Sequence, residues 1–342
     1  MLSATFGRTY QTVVDILTHF LVTMVNKPKL GVSASLHDQK TRFNEGGAGL
    51  RSLTQPWANH FDLIDVCPET SIGMQAPRLE TRLVKEGGNL RLINPQTGQD
   101  LTHQMLEYAE LQSDELSKAE ICGFVFTKDS PTCGLENVPV YTNGESTPRR
   151  NGTGLFSLVF TTLNPHIPVI EEDRLSNPLE AEHFFARVEF FSLWLEESRG
   201  GWTADKILGF HNTNKLFLLS RSPDAKRRLG RLISTALARG DHPENIAFEY
   251  MSFAQQSLNE IAKPGPIAHA MERVLGGVSS KLSNKERQEM LAVIQDYRRG
   301  ELPRSKPLTL LRRLVHRCGM ENEAHLRFIA PSPLSLGLMA NV

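Results

Sequence analysis

Short apolar runs separated by polar turns dominate the first half of the chain. Residues 29–34 place Leu30, Gly31 and Val32 in one compact run, which predicts a short buried strand. Residues 61–66 predict a second strand, and residues 81–83 and 89–93 predict a small hairpin around Gly87-Gly88. Leu101, Met105, Tyr108, Leu111 and Leu116 recur near helical spacing, so residues 100–118 predict a helix. A third strand follows at 121–127, rich in Phe and Val. Residues 38–49 and 141–151 are turn-rich and read as loops, 154–163 as a helix, and 167–170 as another short strand. Strands alternating with helices predict an α/β fold, a doubly wound, Rossmann-like parallel sheet.

After Arg174 the period changes. Residues 177–194 set Phe184, Phe185, Val188 and Phe191 on one broad face, a helix. Six further helices are expected at 204–220, 225–239, 247–261, 265–278, 283–299 and 307–315, several behind capping residues such as Thr203, Ser222 and Ser283. The expected organisation is an N-terminal extension (1–26), an α/β domain (27–173), a connecting helix (174–203) and an all-α domain (204–342). Met24, just ahead of the first strand, marks the extension as the product of an early start codon or as a loosely docked helix.

Charge supports that division. The 342 residues carry no net charge, yet residues 1–202 hold 17 basic against 25 acidic side chains and residues 203–342 hold 21 against 13. A basic helical half fits solvated helix faces, contact with the acidic half, or nucleic acid. No signal peptide is evident, and the apolar stretch from 12 to 25 is broken by Asp15 and His19 and too short to span a bilayer, so a reduced, cytoplasmic setting and no membrane partner are expected. Four cysteines in a chain this long are too few for a disulfide scaffold.

Three loops that end apolar runs carry the candidate chemistry, and in a parallel sheet such loops converge on one edge. The first holds Ser35, the second Cys67 and Glu69, the third Ser130 and Cys133. Cys67 and Cys133 read either as buried apolar fillers or as parts of one site, and no C-x-x-C pairing favours zinc. Cys122, at the far end of the third strand, and Cys318 read as structural. Glu69 reads as an acid/base group or a solvated carboxylate, and Ser130 as a substrate partner or a turn cap. Arg42 and Arg78 suit anchoring of an anion or planar polar group, or structural ion pairs. His211 and Lys215 share a helix face, which suits packing better than catalysis.

Residues 28–173 resemble the thiouracil desulfurase (TudS) family. The resemblance rests on Ser33-Ala34-Ser35-Leu36, Arg42 with Gly46-Gly47, Val66-Cys67-Pro68-Glu69, Gly73 with Pro77-Arg78, Gly123-Phe124 with Lys128 and Ser130-Pro131-Thr132-Cys133-Gly134, and Gly152-Thr153-Gly154-Leu155-Phe156. Residues 204–342 resemble the YbgA-type domain through Phe210-His211-Asn212-Thr213-Asn214-Lys215, Ser222-Pro223, Leu229-Gly230-Arg231 and Tyr297-Arg298-Arg299-Gly300. Asn214 stands where that domain would have a second histidine, and Gly277-Val278 where it would have Tyr-Phe.

The resemblance implies a [4Fe-4S] enzyme that removes sulfur from a thiolated nucleobase, with three cysteines holding the cluster and one iron left open as a Lewis acid. Cys67 and Cys133 map onto two cluster ligands and Ser35 onto the third, with His37 as a nearby substitute. In a desulfurase Glu69 and Ser130 would be the catalytic pair that handles protons and orients substrate, and Arg42 and Arg78 would bind the substrate's polar edge. Serine is a harder, far less acidic donor than cysteine. Three readings follow: a desulfurase with an unusual cluster, a cluster-free relic that binds a nucleobase-like ligand without turnover, and a basic adaptor whose Arg227-Arg228, Arg298-Arg299 and Arg312-Arg313 doublets meet nucleic acid or protein.

Overall fold

A computed structural model describes residues 27–36, 60–74, 80–142, 147–320 and 322–329. The expected extension, the loop at 38–49, His37, Arg42 and Arg78 lie outside the described residues. Strand β1 (Lys29–Ser33) pairs in parallel with β2 (Asp62–Val66) on one side and β5 (Ile121–Phe126) on the other. Strand β8 (Val169–Glu171) completes a parallel sheet of order β2-β1-β5-β8. All six β5 residues are buried, as expected of a strand covered on both faces.

Alternation along β5 shows how the two faces are filled. Phe124 and Phe126, two residues apart, stack at 4.1 Å and meet Phe156 and Phe160 of helix α3 (Leu155–Leu163). Helix α2 (Thr102–Lys118) packs beside α3, its Tyr108 ring 6.2 Å from that of Phe156. On the other face lies the long helix α4 (Pro178–Ser198), with Phe185 stacked on Phe61 at 5.5 Å. Asn177 caps α4, its side chain accepting the Leu179 N–H at 3.0 Å. Helices on both faces of a parallel sheet make the expected doubly wound architecture.

The loop expected at 141–151 is corrected in part. Its two flanks lie in strands β6 (Val138–Thr142) and β7 (Arg149–Gly152). With β3 (Arg82–Glu86) and β4 (Asn89–Ile93), the expected hairpin, they form a second sheet of order β4-β3-β6-β7. The Arg-Arg-Asn-Gly run of β7 has no alternating apolar pattern; pairing with β6, not burial, makes it a strand. The segment linking β5 to β6 therefore bridges two sheets.

The C-terminal region is helical: α5 (Ala204–Arg221), α6 (Pro223–Arg239), α7 (Pro243–Ser257), α8 (Pro264–Val278), α9 (Asn284–Arg298), α10 (Ser305–Arg317) and a short α11 (Glu323–Ile329) that the pattern did not predict. Ser283 opens α9 with a full capping box to Glu286. One core cluster runs from Leu30 of the sheet through α4 to Leu258, and a second joins Leu216 to Ile329. No described helix is long and apolar enough to cross a membrane.

Candidate functional site

The C-terminal ends of β1, β2 and β5 bring the three loops together. Ser33 pairs with Val66, so the residues that follow, leading to Ser35 and Cys67, leave adjacent strands side by side. The Thr127 N–H donates to Ser33 Oγ at 3.1 Å, and the hydroxyls of Ser35 and Thr127 lie 2.6 Å apart, tying the end of β1 to the end of β5. Cys67 precedes a single helical turn, α1 (Pro68–Ser71), where proline at the first position needs no N–H partner. Its sulfur is 3.1 Å from Thr70 Oγ1 and 3.9 Å from Glu69 Oε2.

Glu69 is joined to the third loop through Thr132, which sequence reasoning passed over. The buried Thr132 hydroxyl donates to Glu69 Oε1 at 2.7 Å, which leaves its oxygen to accept from Ser130 Oγ at 2.9 Å. Ser130 Oγ in turn accepts the N–H groups of Thr132 (3.3 Å) and Cys133 (3.0 Å). Ser130 thus closes the turn that presents Cys133, and a directed chain of hydroxyls runs from it to Glu69.

Cys133 is buried, and that burial pushes its thiol up to about 12; the Glu69 carboxylate adds to the rise, while the Thr132 and Ser33 hydroxyls pull it down. Tyr108 on α2 is raised by burial, with Cys67 and Cys133 both acting on its phenol. Two thiols, one carboxylate, one phenol and the hydroxyls of Ser33, Ser35, Thr70, Thr127, Ser130 and Thr132 therefore share one edge. Thr132, Ser33 and Tyr108 carried no sequence signal beyond their neighbours: a threonine before a cysteine and a tyrosine in a helical stripe both read as scaffold.

The remaining cysteines stand apart from this edge. Cys122 opens β5 at the opposite end, where burial also pushes its thiol up to about 12, and Cys318 closes α10 in the helical region. Among the described residues no three His, Cys, Asp or Glu side chains converge closely enough to hold a metal ion. His211 donates to or accepts from Tyr250 Oη at 3.2 Å and packs against α6, and burial lowers its imidazole. In the basic doublets, Arg227 and Arg228 pair with Asp224, Arg298 with Glu272, and Arg299 with Asp296 and Glu301.

Residues 30–172 match the family model described as 2-thiouracil desulfurase, and residues 215–333 match one described as a protein of unknown function, DUF1722. The uncharacterized protein YbgA of Escherichia coli (strain K12) is 28% identical over 108 residues, which is 32% of this chain, and the match spans 63% of that relative's length. Among solved structures, a [4Fe-4S]-dependent thiouracil desulfidase, TudS, aligns at 24% identity and a TM-score of 0.34, covering 44% of this chain and 94% of its own. The N-terminal half of the chain is thus similar to the 2-thiouracil desulfurase model and its C-terminal half to the DUF1722 model.

Proposed function

We propose that the N-terminal domain takes a thiolated nucleobase or a related thiocarbonyl compound at the edge formed by the β1, β2 and β5 loops. The site is of the desulfurase type with a degenerate metal position. The observation that carries this reading is the donor set. Cys67 and Cys133 meet at one edge from loops 66 residues apart, and the third position is Ser35, its hydroxyl 2.6 Å from that of Thr127.

A [4Fe-4S] cluster held by three thiolates does not fit these residues. The chain has four cysteines, and Cys122 and Cys318 lie too far along the fold to replace Ser35. Serine offers a hard oxygen that is protonated at neutral pH, a poor match for iron–sulfur ligation. Ligand binding without a cluster is therefore the function we assign first. In that role Glu69, held by Thr132, accepts a ring N–H of the ligand. Tyr108 and the two thiols form a soft, polarisable wall for a thiocarbonyl sulfur. Arg42 and Arg78 remain proposed anchors for the ring's polar edge.

The pairing of Cys67 with Cys133 also favours a second reading: an iron–sulfur desulfurase in which Ser35 or His37 completes the ligand set. The two readings separate on one experiment. Iron and acid-labile sulfide are measured after anaerobic reconstitution of this chain and of Ser35→Cys, alongside binding of 2-thiouracil and uracil by calorimetry. Iron only in Ser35→Cys, with 2-thiouracil preferred over uracil by this chain, supports cluster-free binding. Iron and sulfide in both proteins establish the second reading. No iron in either and no preference for the thio compound overturn both.

A further inference from the structure

The structure assigns Glu171 and Glu172 as positioning residues that clamp the Cys133 loop. The loop from Lys128 to Asn137 carries Ser130, Thr132 and Cys133, and it leaves the central strand β5. Its neighbour in the sheet, β8, ends in Glu171, and two further acids, Glu172 and Asp173, follow directly in a 3-10 turn. Each grips the loop. Glu172 Oε2 accepts the Lys128 N–H at 2.6 Å, and Asp173 Oδ2 pairs with Lys128 Nζ at 2.6 Å. Glu171 Oε1 accepts the N–H groups of Leu135 at 2.8 Å and Glu136 at 3.2 Å. The grip thus falls on the first residue of the loop and on the last turn before β6.

Burial makes this arrangement informative. Glu171 and Glu172 are adjacent acids, 6% and 8% exposed. Burying carboxylates is costly unless they are hydrogen-bonded, so charge-assisted bonds to the loop amides offset the cost of having them there. The clamp also acts where the backbone is strained. Asp129 and Asn137 adopt left-handed φ values of 59° and 55°, and each follows a clamped residue, Lys128 and Glu136. Non-glycine residues persist in that region only where the surroundings hold them.

The opposite side of the loop is held by opposite chemistry. The first amides of α3 donate to loop carbonyls: Leu155 N to Pro131 O at 3.2 Å and Phe156 N to Thr132 O at 2.9 Å. Ser157 Oγ donates to Gly134 O at 2.6 Å. Carboxylates from the end of β8 and the turn after it hold the loop's N–H groups while α3 holds its carbonyls, and Cys133 stands between the two grips. Releasing the β8 side frees the loop without touching the sheet core.

Thiol labelling tests this on the full chain, because Cys122 sits in the same sheet and Cys318 in the helical region as internal references. Glu171→Ala, Glu172→Ala and the corresponding Gln variants are alkylated with iodoacetamide, and each cysteine is followed by mass spectrometry. Labelling of Cys133 is expected to rise about tenfold in Glu171→Ala while Cys122 and Cys318 keep their rates. Glu171→Gln, which retains a neutral acceptor, is expected to fall between it and the parent. The Gln variants carry the test by themselves if an Ala variant does not fold. An unchanged Cys133 rate, or equal rises at Cys133 and Cys122, overturns the assignment, the second because it would show Glu171 supporting the sheet as a whole.

Discussion

Glu182→Gln is expected to destabilise the protein more than any change at the surface, because this one carboxylate joins three helical segments. Glu182 lies on α4 and is 2% exposed. Both of its oxygens meet Arg221 at the end of α5, with Arg221 Nη1 donating to Oε2 at 2.9 Å, and Arg304 Nη2 at the start of α10 reaches Oε1 at 2.9 Å. The guanidiniums are 4% and 6% exposed. Burial alone would raise the Glu182 carboxyl, but Arg221 and Arg304 outweigh it and hold the group down at about 2. A neutral amide leaves two buried guanidiniums facing each other, and breaking a buried pair this way costs about 3–5 kcal/mol.

The pH dependence gives a second estimate of the same quantity. Unfolded, the carboxyl returns to 4.5; folded, it sits near 2, so its contribution is full above pH 4.5 and is lost as pH falls through 2. That interval corresponds to something on the order of 3 kcal/mol. Urea unfolding followed by tryptophan fluorescence measures both, since Trp194 on α4 stacks on Tyr250 and lies against a tilted Trp202. At pH 7 the variant's midpoint is expected to drop by about 1 M urea or more. Between pH 4.5 and 3 the parent should lose stability faster than the variant. Equal midpoints at pH 7, or identical acid slopes, would refute the argument that this carboxylate is ionised and paired in the folded state.

At pH 8, a thiol held near 12 is ionised in only about one molecule in ten thousand; iodoacetamide should therefore label the half-buried Cys67 well before Cys133 or Cys122, read by peptide mass spectrometry. Gly154→Ala should cost about 2 kcal/mol or more in thermal unfolding, since a Cβ there would lie 2.5 Å from the Thr132 carbonyl and 2.7 Å from Cys133 N, which are backbone atoms. Thr132→Val, which keeps the shape and removes the hydroxyl bonded to Glu69, should cost about 1.5–3 kcal/mol and weaken 2-thiouracil binding, whereas Thr132→Ser should retain most of both.

The parts of this fold written most plainly in the sequence are those where burial dictates the residue. Strand β5 reads as a continuous apolar run because both of its faces are covered, and α2 reads as a helix because only one stripe is. The second sheet was half hidden. Its hairpin showed in the Gly-Gly turn, but β7 is polar along its length and is a strand only because β6 lies beside it. The site divides in the same way. Cys67, Glu69, Ser130 and Cys133 stand at strand ends, a position that sequence can place. Thr132, Ser33 and Tyr108 join them by tertiary contact, and Glu171 and Glu172 reach the loop from a strand end and the turn after it, some 40 residues downstream.

Ser35 has a structural role of its own. Its hydroxyl and that of Thr127 share a 2.6 Å hydrogen bond, and Thr127 N–H is bound in turn to Ser33, so the ends of β1 and β5 are tied at two successive points. A thiol at 35 is a weaker partner for Thr127 than a hydroxyl. Ser35→Cys therefore loosens the link that serine makes, and the gain of a soft donor is set against the loss of a strand-end contact. The edge in this chain is consistent with its own residues: hydroxyls hydrogen-bond to one another, Glu69 is held by Thr132, and burial keeps Cys133 a neutral thiol. A cluster site held by thiolates favours the opposite, ionised sulfurs with soft partners. The serine, the neutral thiol and the hydroxyl chain point the same way, toward an edge organised by hydrogen bonds.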